Sequence, residues 1–145
     1  MFLLDANILI YAFRRDSPYH ARTYAWLIDA LGGDEPVATT SVVELALLRI
    51  CTLPSLGAAA ANAGDVFRFL DALRHQPAVV RVDPGSEHSV IFEHLCESLS
   101  LRGNDVNDAF LAALAFEHDA TLVSADRGFG RFPNLAVIDP LEPLS

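Results

Sequence analysis

Four acidic residues stand where a sheet of parallel strands would gather them. Asp5 ends the apolar run Met1-Phe2-Leu3-Leu4 and opens the amphipathic stretch Ala6 to Phe13. Glu44 interrupts an apolar segment, with Val42, Val43, Leu45 and Leu47 around it. Asp108 opens the run Asp-Ala-Phe-Leu-Ala-Ala-Leu-Ala, and Asp126 follows the strand-like Thr121 to Val123. Carboxylates brought to one place repel one another and would partly protonate without a cation. Mg²⁺ or Mn²⁺ relieves that repulsion, because hard cations prefer oxygen ligands. A cation so held lowers the pKa of a bound water and screens a phosphate, so the chemistry open to such a site is metal-assisted hydrolysis.

Each acid also has an ordinary explanation. Asp5 can be a helix N-cap and nothing more. Glu44 lies three residues after Ser41, the spacing of a capping box. Within an apolar helix it still needs a cation or a donor. Arg49 is a poor candidate, at about 140° around the helix from Glu44. Asp108 would gain from the helix dipole in its first turn. Asp126 can cap the short turn that follows it. Asn7 and Ser124 are supporting polar candidates: Asn7 makes an Asp-x-Asn edge with Asp5, and Ser124 precedes Asp126 by two residues. Asp105 shares roughly one face with Asp108, and it reads as a solvated first-turn acid more often than as a ligand. Arg127 reads as a surface charge.

The elements that must position these residues alternate. Strands are expected at Phe2 to Leu4, Pro36 to Thr39, Val79 to Val82, Thr121 to Val123 and Leu135 to Ile138. Helices are expected at Ala6 to Arg14, at Pro18 to Leu31 with Ser17 as cap, and from Ser41 to about Ile50. Leu53 to Gly57 reads as a loop. Further helices are expected at Ala58 to Arg74 with a break near Gly64, from Ser86 to about Leu99 or Leu101, and at Asp105 to His118. Alternation of this kind predicts an α/β fold, a central parallel sheet between two helical layers in a three-layer α/β/α arrangement. In such sheets the functional site lies beyond the carboxyl ends of the strands. The small residues Ala109, Ala112, Ala113 and Ala115 predict a core helix packed closely on the sheet.

The bulk properties fit one domain spanning 1–145. Hydrophobic residues make up 52% and charged residues 20%, which is a packed chain rather than a disordered one. No apolar run approaches the roughly 20 residues of a membrane helix, and the N-terminus lacks the basic leader of a signal peptide, so a cytoplasmic protein is expected. The net charge of −9 disfavours broad, charge-driven binding to nucleic acid and suits a basic protein partner. All ten basic residues are Arg. Without Lys there is no Walker-type phosphate loop and no Schiff-base chemistry. The same absence argues against a phosphotransfer or receiver domain, which also puts an Asp after its first strand. Cys51 and Cys96 read as buried free thiols. The five His residues show no ligand spacing.

The stretches LLDANILIYA, TTSVVELALLRICTLP and GNDVNDAFLAALAFEHDATLVSADRGFGRFPNL together resemble the PIN-domain family, in particular the VapC-type ribonuclease toxins of bacterial toxin–antitoxin operons. DSPYHARTYAWL fits that family's second helix. The resemblance implies that Asp5, Glu44, Asp108 and Asp126 form an acidic Mg²⁺ site, with Mn²⁺ as an alternative, and that Asn7 and Ser124 support it. It implies an endoribonuclease, a cognate antitoxin that inserts a segment into the acidic groove, and a homodimer. Some relatives carry a further acid where Gly128 stands, and many have an apolar residue and a proline at positions 105 and 107. Arg14, Arg15, Arg102 and Arg131 are candidates for RNA contact, and unstacked RNA is the expected target. The rival reading is a catalytically silent domain that binds protein or RNA; convergence of the acids on a metal discriminates the two.

Overall fold

The computed structural model describes residues 1–143 of the chain. Its strands are β1 (Phe2–Leu4), β2 (Val37–Thr39), β3 (Val79–Arg81), β4 (Thr121–Val123) and β5 (Val137–Ile138). They form one sheet in the order β3-β2-β1-β4-β5, parallel at every pairing. The register sets Leu3 beside Ala38 on one side and Leu122 on the other. A sheet covered on both faces needs strands that are apolar throughout rather than alternating. Leu3, Leu4, Val37, Ala38, Leu122 and Val123 accordingly lie wholly out of solvent.

The helices are α1 (Ala6–Phe13), α2 (His20–Leu31), α3 (Ser41–Cys51), α4 (Ala63–Arg74), α5 (His88–Ser98) and α6 (Asp105–Glu117). The first packs on α2 and α3, α3 packs on α4, and α5 packs on α6. From β1 the chain steps outward to β2 and then β3. The connection through α5 and α6 returns to β4, on the other side of β1. Right-handed crossovers running in opposite directions put their helices on opposite faces, which makes the three layers. The reversal falls between β1 and β4, the place where sheets of this kind tend to hold their functional site. On α6, Ala109, Ala112, Ala113 and Ala115 are fully buried, as their size predicts.

Several helix starts or caps differ from the sequence expectation, and for α3 and α5 the reason is a carboxylate supplied from far along the chain, at the first turn of α3 and in the turn before α5. The second helix begins at His20 rather than Pro18, and Ser17 instead accepts a bond from the Tyr19 amide in the preceding turn. Ser41 is not the cap of α3. Thr40 holds that position, and Asp83 accepts from the Ser41 amide, the Ser41 hydroxyl and the Thr40 hydroxyl. In place of Ser86 at the start of α5, Glu117 accepts from the amides of Gly85 and Glu87. Residues Pro54–Ala59 form a 3-10 turn that reverses at Gly57, whose φ is +58°; the Asn62 side chain then caps α4. The break therefore precedes Gly64. Three strands are one or two residues shorter than expected, without Pro36, Val82, Leu135 and Ala136. Both cysteines are free thiols, but only Cys51 is buried; Cys96 is half-buried. Among the described residues no helix is long and apolar enough to cross a membrane.

Candidate active site

Asp5 leaves β1 with its backbone still in the sheet, its amide donating to the Val123 carbonyl at 3.0 Å. Its side chain turns back as the N-cap of α1, where Oδ1 accepts from the Ala6 amide at 2.6 Å. The other oxygen, Oδ2, accepts from the Ser124 hydroxyl at 2.7 Å and the Asn7 amide nitrogen at 3.2 Å. The capping explanation for Asp5 is therefore correct, and it leaves about one lone pair, on Oδ1, to spare.

Ser124 and Asn7 tie the ends of β1 and β4 together. The buried Ser124 hydroxyl accepts from the Asp126 amide at 3.0 Å and from Asn7 Nδ2 at 3.2 Å. Both of its lone pairs are then engaged, so its single proton goes to Asp5. Asn7 Oδ1 accepts from the Ala125 amide at 3.3 Å. Asp126 follows this network as the cap of the 3-10 turn Arg127–Arg131, with Oδ1 accepting from the Gly128 amide at 2.8 Å. Arg127 is exposed, as its reading as a surface charge requires.

Asp108 enters from the first turn of α6. Its Oδ2 accepts from Arg131 at 2.8 Å, and the same guanidinium lies 3.5 Å from the exposed Asp105. Burial pushes the Asp5 carboxyl above the ordinary aspartate value; hydrogen bonds from Ser124 and Ala6 oppose that, and the charges of Asp108 and Asp126 add to it. Burial likewise raises Asp108, with Arg131 opposing and Asp126 and Asp105 adding. Asp5, Asp108 and Asp126 thus share one electrostatic neighbourhood. Tyr11, unremarked in the sequence, lies within the same field: burial raises its phenol, and Tyr19, Asp5 and Asp126 raise it further.

Glu44 stands apart from these three. It is 5% exposed, and its oxygens lie 2.9 Å from Arg74 and 3.4 Å from Arg81. It does not line the cleft of about 360 Å³ that Asp5 and Asp108 share with Val42, Leu45 and Asn107. Arg49 does line it, exposed and directed from α3. Sequence reasoning missed Arg49, although the angle that separates it from Glu44 is itself the sign that it faces elsewhere. Arg14 is committed to Asp16, and Arg15 and Arg102 are exposed away from the cleft wall.

The donor set suits a hard divalent cation, since Asp5, Asp108, Asp126 and Ser124 offer only oxygen. Burial is the main cause that raises Asp5 and Asp108, and the neighbouring carboxylates add to it; a cation would relieve that added repulsion. Among the described residues the carboxylates flank the site without already converging at cation-bonding distance.

The profile of the PIN domain matches residues 2–135. The chain is 38% identical over 143 residues to "VapC ribonuclease Mb2897" of Mycobacterium bovis, covering 98% of this chain and 97% of the relative. It is 34% identical over 140 residues to "Ribonuclease VapC25" of Mycobacterium tuberculosis, covering 97% and 99%. Among solved structures, VapBC2 from Rickettsia felis, bound to a DNA fragment of its promoter, superposes with a TM-score of 0.71 at 23% identity, covering 95% of this chain and 97% of that one. The chain belongs to the PIN-domain family, in its VapC branch.

Proposed function

We propose that this protein is a divalent-metal-dependent endoribonuclease, the toxin of a toxin–antitoxin pair. The observation that carries the reading is that Asp5 and Asp108 line one cleft while the charge of Asp126 bears on both carboxyls. The curated relatives named as VapC ribonucleases support RNA as substrate. Structural neighbours described as VapBC complexes support an antitoxin partner.

Asp5 and Asp108 are assigned as primary ligands of Mg²⁺ or Mn²⁺, with Asp126 completing the set. The bound cation supplies neutralising charge for the phosphate and acidifies water at the site. Ser124 and Asn7 fix Asp5 from behind. Arg49, on the cleft wall, offers its guanidinium to a phosphate oxygen of the RNA backbone. Glu44 takes a structural part, holding Arg74 and Arg81 on the far side of α3. The net charge of −9 suits a basic antitoxin segment in the acidic groove. A cytoplasmic homodimer is part of the same reading.

The test is cleavage of total RNA by antitoxin-free protein with Mg²⁺ or Mn²⁺, then with EDTA, beside Asp5→Ala and Asp108→Ala. Cleavage that survives EDTA, or survives in both variants, rejects the metal–acid mechanism. Co-expression of the adjacent open reading frame should restore growth, and failure to do so counts against the toxin role.

A further inference from the structure

Arg131 occupies Asp108 in a manner that a surface ion pair does not require. Its guanidinium donates to Asp108 Oδ2 at 2.8 Å, reaches Asp105 at 3.5 Å and lies 5.0 Å from the centre of the Phe132 ring. The Nε–H is buried with no hydrogen-bond partner, a cost the arginine bears in order to keep this pose. Room for it comes from Gly128: a Cβ there would sit 2.7 Å from the Arg131 terminal nitrogen and 3.0 Å from Asp126 Oδ1. The missing side chain at residue 128 and the guanidinium on Asp108 are thus two sides of one arrangement.

We infer that Arg131 is an internal cation that holds Asp108 in the metal-free protein and competes with a divalent metal for that carboxylate. The inference rests on the assignment of Asp108 as a metal ligand. A guanidinium within hydrogen-bonding distance of Asp108 and a divalent ion on the same carboxylate are like charges a few ångströms apart, and their repulsion is strong in a partly desolvated cleft. Metal entry must displace Arg131, and the pair it breaks is subtracted from metal affinity. Arg131 therefore tunes how much free metal the protein needs, and it holds the Asp108 carboxylate in place while none is bound.

The experiment is direct titration of purified, antitoxin-free protein with Mn²⁺, read by calorimetry or by the loss of the free-ion magnetic resonance signal, without RNA. Arg131→Gln should bind Mn²⁺ roughly tenfold more tightly than the parent, the worth of one charge-assisted bond. Gly128→Ala keeps the charge but pushes the guanidinium off its seat, and it should also tighten binding. Arg127→Gln removes an equal charge beside Asp126 without touching Asp108, and should change affinity by about twofold or less because exposed charges are screened. Equal tightening in the Arg127 and Arg131 variants would reduce the effect to diffuse electrostatics and overturn the proposal. So would unchanged affinity in Arg131→Gln, its fold verified by circular dichroism. If neither the parent nor Arg131→Gln binds Mn²⁺, the metal site itself is rejected and the competition with it. If the parent binds and Arg131→Gln is no tighter, only the competition fails.

Discussion

Ser124 donates its only hydroxyl proton to Asp5 Oδ2 at 2.7 Å, joining the carboxyl ends of β4 and β1. The bond crosses the one place in the sheet where the chain reverses its direction of travel. Polar groups that orient a metal ligand commonly matter nearly as much as the ligand. Ser124→Ala should therefore lower metal affinity or turnover by about ten- to a hundredfold. The folded state should lose about 1 to 3 kcal/mol, since Asp5 keeps its bonds from Ala6 and Asn7 but the Asp126 amide loses the hydroxyl it donates to. Single-turnover cleavage at saturating Mn²⁺ and urea denaturation measure the two effects; an unchanged rate and affinity would dismiss the orienting role.

The raised carboxyl of Asp5 makes a prediction about pH. A folded-state pKa above the unfolded value means that the native state binds more protons in that interval, so stability falls as pH rises through it. Asp16, Asp83 and Glu117 are lowered and act in the opposite sense, so the wild-type profile alone is ambiguous. Asp5→Asn removes one contributor cleanly. In EDTA the variant should gain on the wild type as pH rises from about 4 to about 8. Mn²⁺ should raise the melting temperature of the wild type more than that of the variant. Parallel melting curves at every pH would refute a raised Asp5 carboxyl in the folded state.

Glu44 carries the third prediction. Arg74 and Arg81 are 36% and 52% exposed, whereas Glu44 is 5% exposed, so the two sides of the pair are not equivalent. Glu44→Gln frees both arginines into water and should cost about 1 kcal/mol. Arg74→Ala leaves a buried carboxylate short of its nearest donor and should cost about 2 to 3 kcal/mol. Cleavage should survive Glu44→Gln. Loss of activity without loss of stability would return Glu44 to the metal site.

Much of this arrangement is legible in the sequence, for local reasons. The apolar run before Asp5 ends where a buried parallel strand must end, and the alanines of α6 announce a helix pressed against its sheet. The need of Glu44 for a cation is equally legible. The identity of that cation is not, because Arg74 lies thirty residues away on another helix. The same holds for helix starts: Asp83 caps α3 and Glu117 stands before α5 from across the fold, so nearby Ser residues mislead. Arg131 reads as a free cation available to RNA, but the fold closes it onto Asp108. Long-range polar pairings carry no periodic trace, and hydrophobic spacing does.

Arg49 shows what the helical angle can recover. It faces the cleft, and no acidic side chain pairs with it among the described ion pairs. Arg49→Ala should raise KM for RNA with little change in kcat, as expected when a ground-state phosphate contact is lost. The slope of log affinity against log salt should fall by about 1. Arg49→Lys should restore part of the affinity. An unaltered KM and salt slope would remove Arg49 from the RNA path.

The last prediction concerns the cap that sets the pitch of this cleft wall. Asp83 accepts from both Ser41 and Thr40, and α3 beyond them presents Val42, Leu45 and Arg49 to the cleft. The hydrogen bonds from Ser41 hold the Asp83 carboxyl below the ordinary aspartate value, so its contribution is present above the unfolded pKa and is lost as pH falls through the depressed one. Asp83→Ala should cost about 1 to 2 kcal/mol at neutral pH, the usual worth of an N-cap. Asp83→Asn keeps an acceptor oxygen and should cost less. The gap between wild type and Asp83→Ala should close in acid, because a protonated Asp83 caps poorly. Denaturant melts at neutral and acid pH decide it: a gap that persists unchanged in acid would mean that Asp83 acts through packing and not as the charged cap of α3.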